Sequence, residues 1–290
     1  MKRSTLIVRL KGGLGNQMFQ YAAGLLASKD RDVRLLFDIS SYQTDQFGRK
    51  YELDIFNTDI RFVSSIQRLQ VRSRIAFANR NSRFDFFAPK ILVDTQSGHD
   101  KPTCYDGTTI LDGYWQSYDY YSSIEQELRA KFSFKKPAAN EILGWREQII
   151  NSPNATMLHI RRADYVDNSS VARIHGSCTL DYYHAAIDYL VESGVSPNLF
   201  VFTDDPTWVK QNIRFDVPMT LVSSADSTWP DHDEMRLMAL CKHFIIANSS
   251  FSSWSAWLGN HSRKKVIAPS RWYADRTEPA GFLPSSWHRC

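Results

Sequence analysis

Residues 155–165 of the chain read ATMLHIRRADY, a largely apolar run that ends in two adjacent arginines, Arg161 and Arg162, and a carboxylate, Asp164. A short apolar run of this kind is typical of a strand that is buried on both faces of a parallel sheet. Positive charge at the end of such a strand suits an anionic ligand, because ligands of open α/β sheets bind at the carboxyl ends of the strands. The stretch therefore predicts a parallel sheet with an anion at its edge.

The residues after this stretch support the sheet, because strand-like and helix-like patterns alternate regularly. Strands are expected at residues 155–160, 199–203, 219–222, 244–247 and 266–268, and helices at residues 180–192, 206–212, 234–241 and 252–258. This alternation favours a parallel sheet with right-handed crossovers. The strand ends carry further polar groups, which are Asp204, Asp205, Asn248, Ser249 and Ser250.

The N-terminal part of the chain carries a second α/β pattern. Residues 6–10 (LIVRL) are expected to form a strand that leads through the turn KGGLGNQ into a helix beginning near Asn16. Gly13 and Gly15 in this turn allow the backbone to approach a ligand at the helix N-terminus, although a plain junction between strand and helix is the alternative. The turn matches neither the GxGxxG fingerprint nor the P-loop.

A strand expected at residues 110–114 ends beside Trp115 and Gln116. An aromatic ring and an amide at a strand end suit a sugar, because C–H groups pack on rings while hydroxyl groups need donors and acceptors. An ordinary loop anchored by Trp115 explains the same residues equally well.

Turn-forming residues at 151–154 (NSPN) lie between the two patterns. The chain has 290 residues, which is enough for two packed cores. We therefore expect an N-terminal domain over residues 1–152 and a C-terminal domain over residues 153–290. Residues 40–101 show no clear pattern apart from helical spacing near residues 64–79.

The composition points to a cytoplasmic protein. The formal net charge of +4 is too small to indicate a nucleic-acid partner, and the four cysteines lack the CxxC spacing of zinc sites. Neither a targeting segment nor a membrane-spanning apolar run is recognisable. Five arginines lie closer together in the sequence than the other basic residues do, namely Arg68, Arg72, Arg74, Arg80 and Arg83. A solvated helix face explains it best, and contact with the anionic inner face of a membrane is the alternative.

Two pairs of polar residues each have a structural and a ligand-binding interpretation. Asp204 and Asp205 resemble a DxD-type pair that holds a divalent ion, but the proline that follows makes Asp205 a good helix N-cap. Because the arginines already supply positive charge, we favour the structural role. Ser249 and Ser250 precede a helix, where they can cap it and also bind a phosphate oxygen.

Several motifs, taken in chain order, resemble glycosyltransferase family eleven, the bacterial alpha-1,2-fucosyltransferases. They are GGLGNQMFQYA at residues 12–22, HIRRADY at 159–165, HGSC and DYY between 175 and 183, VFTDD at 201–205 and LMALCKHFIIANSSFS at 237–252, with a weaker match at Pro284 and Trp287. The chain departs from the family pattern at Ala163, Glu234, Ser253 and Ser255, where the family usually has glycine, aspartate, tryptophan and glycine.

The resemblance implies a GT-B-like α/β architecture, in which two Rossmann-like halves face each other across a cleft and the C-terminal half holds GDP-fucose. It implies a hexosyltransferase that moves L-fucose from GDP-β-L-fucose to the 2-hydroxyl of a terminal β-galactoside, with inversion and without a cofactor or divalent metal. The product would be a surface glycan such as O-antigen. The alternatives are a transferase for another nucleotide sugar and a non-catalytic module that binds nucleotides or carbohydrates.

Within this expectation, Arg161 is the first choice for the group that stabilises charge on the leaving GDP, and Arg162 is the second. Asp233 or Glu234 would bind guanine, whose N1–H and 2-amino group are adjacent hydrogen-bond donors. The alternative is that these carboxylates only complement the dipole of the helix that follows. The expected donor-binding residues are Gly13, Gly15, Asn16, His159, Arg161, Arg162, Asp204, Asp233, Glu234, Asn248, Ser249, Ser250 and Phe251.

The sequence offers more than one candidate for the catalytic base. Asp164 and His175 are candidates, and Asn16 would orient a substrate, because an amide does not accept a proton under ordinary conditions. The acceptor is expected to contact Trp115, Gln116 and Tyr165.

Overall fold

The computed structural model describes residues 3–29, 31–78, 90–94, 101–162, 177–223, 229–279 and 281–290. The chain divides into two compact units. Unit 1 comprises Met1–Lys136 and Pro279–Leu283, and unit 2 comprises Pro137–Glu278 and Pro284–Cys290. The division therefore lies one helix earlier in the chain than the boundary expected at residue 152.

Unit 1 is built on a parallel sheet. Its described strands and α-helices are β1 (Ser4–Arg9), α1 (Leu14–Ser28), β2 (Val33–Asp38), α2 (Ser65–Ala78), β3 (Lys90–Val93), β4 (Thr108–Asp112) and α3 (Glu125–Lys131). The strand order is β2-β1-β4-β3, and each neighbouring pair is parallel. The apolar run of β1 thus occupies an inner position, where Leu6 and Val8 are fully buried.

Helix α1 packs closely on this sheet at Gly24. A Cβ atom at this glycine would lie 2.8 Å from Cγ2 of Val8 on β1 and 3.1 Å from Cδ1 of Leu35 on β2. Glycine therefore allows the helix to approach the strands closely.

Unit 2 is built on a second parallel sheet. Its described strands and α-helices are α4 (Leu143–Asn151), β5 (Ala155–Ile160), α5 (Leu180–Glu192), β6 (Asn198–Thr203), α6 (Pro206–Asn212), β7 (Met219–Leu221), α7 (Asp231–Ala239), β8 (His243–Ile245), α8 (Ser250–Leu258), β9 (Val266–Ala268) and β10 (His288–Arg289). The strand order is β10-β9-β8-β5-β6-β7, and the pairs are parallel. Every residue of β5 is buried, as its apolar run predicts.

The expected α/β class and parallel sheets are confirmed in both units. The predicted bounds of β5, α5, α6 and β9 match the structure, whereas β3 and β10 were not predicted because such short strands carry too little periodicity. Helix α7 begins at Asp231, three residues before its expected start, so that Asp233 and Glu234 lie in its first turn. Among the described residues, no helix combines the length and apolar character needed to cross a membrane.

Candidate active site

The sheet of unit 2 reverses its winding between β5 and β8. From β5 the chain continues to β6 and β7 on one side, whereas from β8 it continues to β9 on the other side. Neighbouring strands that diverge in this way leave a crevice at their carboxyl ends, which is the usual ligand site of an open α/β sheet. The ring of His159, near the end of β5, lies 6.3 Å from the ring of Phe251, in the first turn of the helix that follows β8. We call this place the switch-point edge.

The two arginines at the end of β5 pair with different carboxylates. The Nε atom of Arg161 lies 3.0 Å from Oδ2 of Asp204, and that of Arg162 lies 3.4 Å from Oδ2 of Asp205. The guanidinium carbon of Arg162 also lies 4.1 Å from the ring centre of Trp208 on α6, which adds a cation–π contact. Arg162 is therefore held against α6, while Arg161 is held beside Asp204.

The acidic pair after β6 has the structural roles that its sequence favours. Oδ1 of Asp205 accepts a hydrogen bond of 3.0 Å from the backbone N–H of Trp208, which confirms the predicted N-cap of α6. Oδ1 of Asp204 accepts a bond of 2.8 Å from the backbone N–H of Arg162. Within the described parts of the chain, no three histidine, cysteine, aspartate or glutamate side chains form a cluster suited to a metal ion.

His159 is buried and neutral. Burial, followed by the nearby charge of Arg161, lowers the pKa of His159 to about 3. Its Nδ1 atom has no hydrogen-bond partner among the residues that the structure describes. A neutral imidazole with an unmatched ring nitrogen suits a polar ligand group, whereas a conjugate acid this strong makes a poor general base.

Glu234 adds a carboxylate close enough to Arg161 and Asp204 for their charges to act on it. Its Oε1 atom accepts a hydrogen bond from Oγ of Ser223, which in turn accepts one of 2.9 Å from the backbone N–H of Thr203 at the end of β6. Desolvation raises the pKa of Glu234 to about 7, and the charges of Arg161 and Asp204 also act on it. A carboxylate that is costly to ionise in the unliganded protein is typical of a functional site.

Asp233 differs from its neighbour, because both of its oxygens are engaged within unit 2. Oδ2 accepts a hydrogen bond of 3.1 Å from the backbone N–H of Ala139, and Oδ1 pairs with Nε of Arg236 at 3.0 Å. The Asp233 residue is only 2% exposed. Of the two carboxylates considered for recognition of guanine, Glu234 is therefore the one that lies near the ends of β6 and β7 and is influenced by the charge of Arg161.

The serine-rich turn after β8 reaches the switch-point edge at the start of α8. Ser249 is the N-cap residue, yet its side chain makes no capping bond. The turn is instead closed by Ser252, which sequence reasoning missed and whose Oγ accepts a bond of 3.2 Å from the backbone N–H of Ala247. Nδ2 of Asn248 donates to the carbonyl of Trp272 at 3.2 Å, so this amide also holds the turn in place.

The glycine turn of unit 1 has a defined conformation. Gly12 has a φ of +76°, and a Cβ there would lie 2.7 Å from Nδ2 of Asn16, so glycine is required. The Gly12 carbonyl accepts hydrogen bonds of 3.1 Å from Nε2 of Gln17 and from the hydroxyl of Tyr42. Gly13 is the N-cap of α1 and Gly15 lies in its first turn.

The structure brings together Asn16 and Gln116, two of the predicted site residues of unit 1. Nε2 of Gln116 donates a hydrogen bond of 2.8 Å to Oδ1 of Asn16. Both residues are partly exposed, and they follow the neighbouring strands β1 and β4 at their carboxyl ends. They form a polar pair at the edge where the sheet of unit 1 changes direction.

Trp115, by contrast, is buried in the core of unit 1. It is 4% exposed and has a φ of 47°, which is unusual for a residue other than glycine. Its backbone N–H donates to Oδ2 of Asp94 at 2.8 Å, and its carbonyl accepts from the hydroxyl of Tyr121 at 2.7 Å. The structure therefore favours the loop-anchoring interpretation over acceptor contact.

Sequence reasoning also missed a charged cluster beside the glycine turn. Asp112 at the end of β4 lies 2.7 Å from NH1 of Arg9 and 3.0 Å from Nζ of Lys11. Burial acts to raise the pKa of Asp112, but the two cations outweigh it and hold the value below the ordinary one. Asp112 is thus a paired carboxylate rather than a base. Asp164, Tyr165 and His175 lie outside the described residues.

The sequence of the chain matches a known family and known proteins over most of its length. The profile of glycosyl transferase family 11 matches residues 1–288. An alpha-1,2-colitosyltransferase of Escherichia coli is 33% identical, over 99% of this chain and 99% of that protein. The O-antigen biosynthesis glycosyltransferase WbnK of Escherichia coli is 28% identical, over 96% and 98%.

The fold is shared with a solved fucosyltransferase structure. A mutant of Arabidopsis thaliana FUT1 in complex with GDP superposes with a TM-score of 0.54 at 11% identity, covering 91% of this chain and 70% of that one. The profile match extends over nearly the whole sequence, and both bacterial relatives align from end to end. The chain therefore belongs to glycosyl transferase family 11.

Proposed function

We propose that this glycosyltransferase moves L-fucose from GDP-β-L-fucose to the 2-hydroxyl of a terminal β-galactoside, forming an α-1,2 linkage with inversion. The observation that carries the proposal is the group Arg161, Asp204 and Glu234 beside the carboxyl ends of β5 and β6, where a cation suited to a diphosphate lies near a carboxylate suited to guanine. Unit 2 would bind the donor, and unit 1 would bind the acceptor.

The donor is recognised at its diphosphate and at its guanine base. The guanidinium of Arg161 meets the diphosphate, because arginine binds phosphate oxygens through charge-assisted bonds. The carboxylate of Glu234 accepts from N1–H and the 2-amino group of guanine. Ser249 and Ser250 at the start of α8 add donors for the phosphate, and the positive end of the helix favours negative charge there.

The reaction is a single displacement. The bond between C1 of fucose and the GDP oxygen breaks as the galactose 2-oxygen bonds to C1 from the opposite face, and the 2-hydroxyl proton passes to a base. Arg161 stabilises the charge that grows on GDP. Asp164 and His175 are the candidates for the base that the family motifs supply, and Asn16 orients substrate. No metal or other cofactor takes part in this scheme.

The acceptor is held by the polar pair of unit 1. Gln116→Ala is expected to raise the KM for the galactoside about three- to ten-fold, because one neutral hydrogen bond is worth about 0.5–1.5 kcal/mol. The dissociation constant for GDP-fucose should not change. Initial rates at varied galactoside, with calorimetric titration of the donor, measure both quantities. Gln148→Ala on the exposed face of α4 is the matched control, and an equal effect of the two substitutions would contradict the assignment.

The similarity to an alpha-1,2-colitosyltransferase supports a second donor, GDP-colitose. Colitose is L-fucose without its 3-hydroxyl, so the two donors share the guanine, the diphosphate and the reacting carbon. A direct competition between the two donors separates the proposals. A higher kcat/KM for GDP-fucose supports fucosyl transfer, whereas a higher value for GDP-colitose assigns the chain to colitosyl transfer.

The proposed function is tested by incubating the protein with GDP-β-L-fucose and lactose in the presence of EDTA. The expected result is release of GDP together with a trisaccharide whose NMR spectrum shows α-linked fucose on the galactose 2-oxygen. UDP-galactose in place of the donor should give no transfer. A product with another linkage, transfer only from a UDP-sugar, or loss of activity in EDTA would contradict the proposal.

A further inference from the structure

Helix α2 of unit 1 has apolar side chains on its outer surface as well as on its inner one. Val71 is buried in the cluster formed with β1, β2 and β4, and Ile75 packs against the same cluster. On the opposite side, Ile66 and Leu69 are each 74% exposed. Because these two residues are three positions apart, they lie next to each other on one face of the helix. Burial of Val71 and Ile75 explains how the helix is held on the sheet. It does not explain why Ile66 and Leu69, which face solvent, are apolar.

The chain around this pair is strongly basic. Residues 61–74 read RFVSSIQRLQVRSR, with four arginines and no aspartate or glutamate. Arg61 and Arg72 are exposed, and Phe62, which leads into the helix, is 45% exposed. We define the α2 face as Ile66, Leu69 and Arg72. It combines large apolar side chains with positive charge on one face of a helix.

A solvated helix face would place polar side chains where Ile66 and Leu69 lie. An apolar surface bordered by arginines matches the interface of an anionic bilayer, where apolar side chains enter the boundary between headgroups and acyl chains while cations meet the lipid phosphates. We propose that the α2 face is a peripheral docking surface for an anionic lipid bilayer. Its occupant is a lipid surface and not a single bound lipid, because the exposed pair forms a convex helix face and not a pocket.

The proposal is tested by sedimentation of the protein with vesicles of phosphatidylcholine alone or of phosphatidylcholine mixed with phosphatidylglycerol. Binding is expected only to the mixed vesicles, and 1 M salt should abolish it, because the screening length there falls to about 3 Å. The double substitution Ile66→Ser with Leu69→Ser should lower the partition coefficient about ten-fold or more. Arg72→Gln should lower it about five-fold.

The matched control is Val191→Ser on α5, an apolar side chain of unit 2 that is 50% exposed. This variant should bind the mixed vesicles as the wild type does. Equal binding to both kinds of vesicle, or unchanged binding by the double variant, would overturn the proposal. A third result would also overturn the proposal, namely that the wild type is a dimer in sedimentation equilibrium and the double variant is a monomer. The α2 face would then bind a second copy of the chain. Transfer to soluble lactose should be unchanged in all variants, so lipid binding is judged independently of the proposed reaction.

Discussion

Arg161→Ala is expected to lower kcat by about a hundred- to a thousand-fold, the range found when one preorganised donor to a developing negative charge is removed. Arg161 is held by Asp204 at the switch-point edge, and its charge acts on Glu234. In the proposed reaction its guanidinium meets the diphosphate as the bond to fucose breaks. Steady-state kinetics at saturating GDP-fucose measure the effect.

Two further substitutions separate charge from geometry. Arg161→Lys keeps the positive charge but loses the planar pair of donors, so its kcat should lie between those of the wild type and the alanine variant. Arg162→Ala removes the contact with Trp208 and the ion pair with Asp205, and its kcat should fall by less than about ten-fold. Equal losses for the two alanine variants, or a nearly normal kcat for Arg161→Ala, would contradict the role given to Arg161.

Glu234→Gln is expected to weaken binding of GDP-fucose about ten- to a hundred-fold, because a hydrogen bond to a charged acceptor is worth about 1.5–3 kcal/mol. A glutamine amide offers guanine one acceptor and sets its own NH₂ group against the 2-amino group. Binding of GDP and of IDP, which lacks that amino group, tests the contact at pH 8. The wild type should prefer GDP, and the variant should lose most of this preference.

The same carboxylate predicts a pH dependence for donor binding. The pKa of Glu234 is raised to about 7 in the unliganded protein, and guanine binds the ionised form. Affinity for GDP-fucose should therefore be highest above pH 7 and fall about ten-fold per pH unit below it. The diphosphate diester of the donor does not titrate in this range. For Glu234→Gln, calorimetry should show an affinity for GDP-fucose that does not change with pH over this range. An affinity that depends on pH as steeply as in the wild type would show that Glu234 does not contact guanine.

The parts of the fold that depend on local sequence were predictable. The apolar run of β5 and the aspartate–proline start of α6 are recognisable within a few residues, and both agree with the structure. The two-residue strand β10 was not predictable, because it forms only by pairing with β9. Local pattern therefore predicts an element when the element's own residues stabilise it.

The roles of individual site residues depend on distant contacts. Asp233 and Glu234 are adjacent in sequence, and contacts with residues outside their helix distinguish them. The backbone N–H of Ala139 donates to Asp233, whereas the hydroxyl of Ser223 donates to Glu234. The burial of Trp115 likewise depends on Asp94 and Tyr121. The sequence pattern identifies a candidate position, but it does not show which neighbouring residue bonds to the side chain there.

A crystal structure of the protein with GDP would show directly where the donor binds. We expect the diphosphate at the carboxyl ends of β5 and β8, within hydrogen-bond distance of the guanidinium of Arg161 and of the N-terminus of α8. We expect the guanine N1–H and 2-amino group on the carboxylate of Glu234. GDP bound away from this edge, or a diphosphate held by Arg162 with Arg161 still paired only to Asp204, would contradict the proposed donor site.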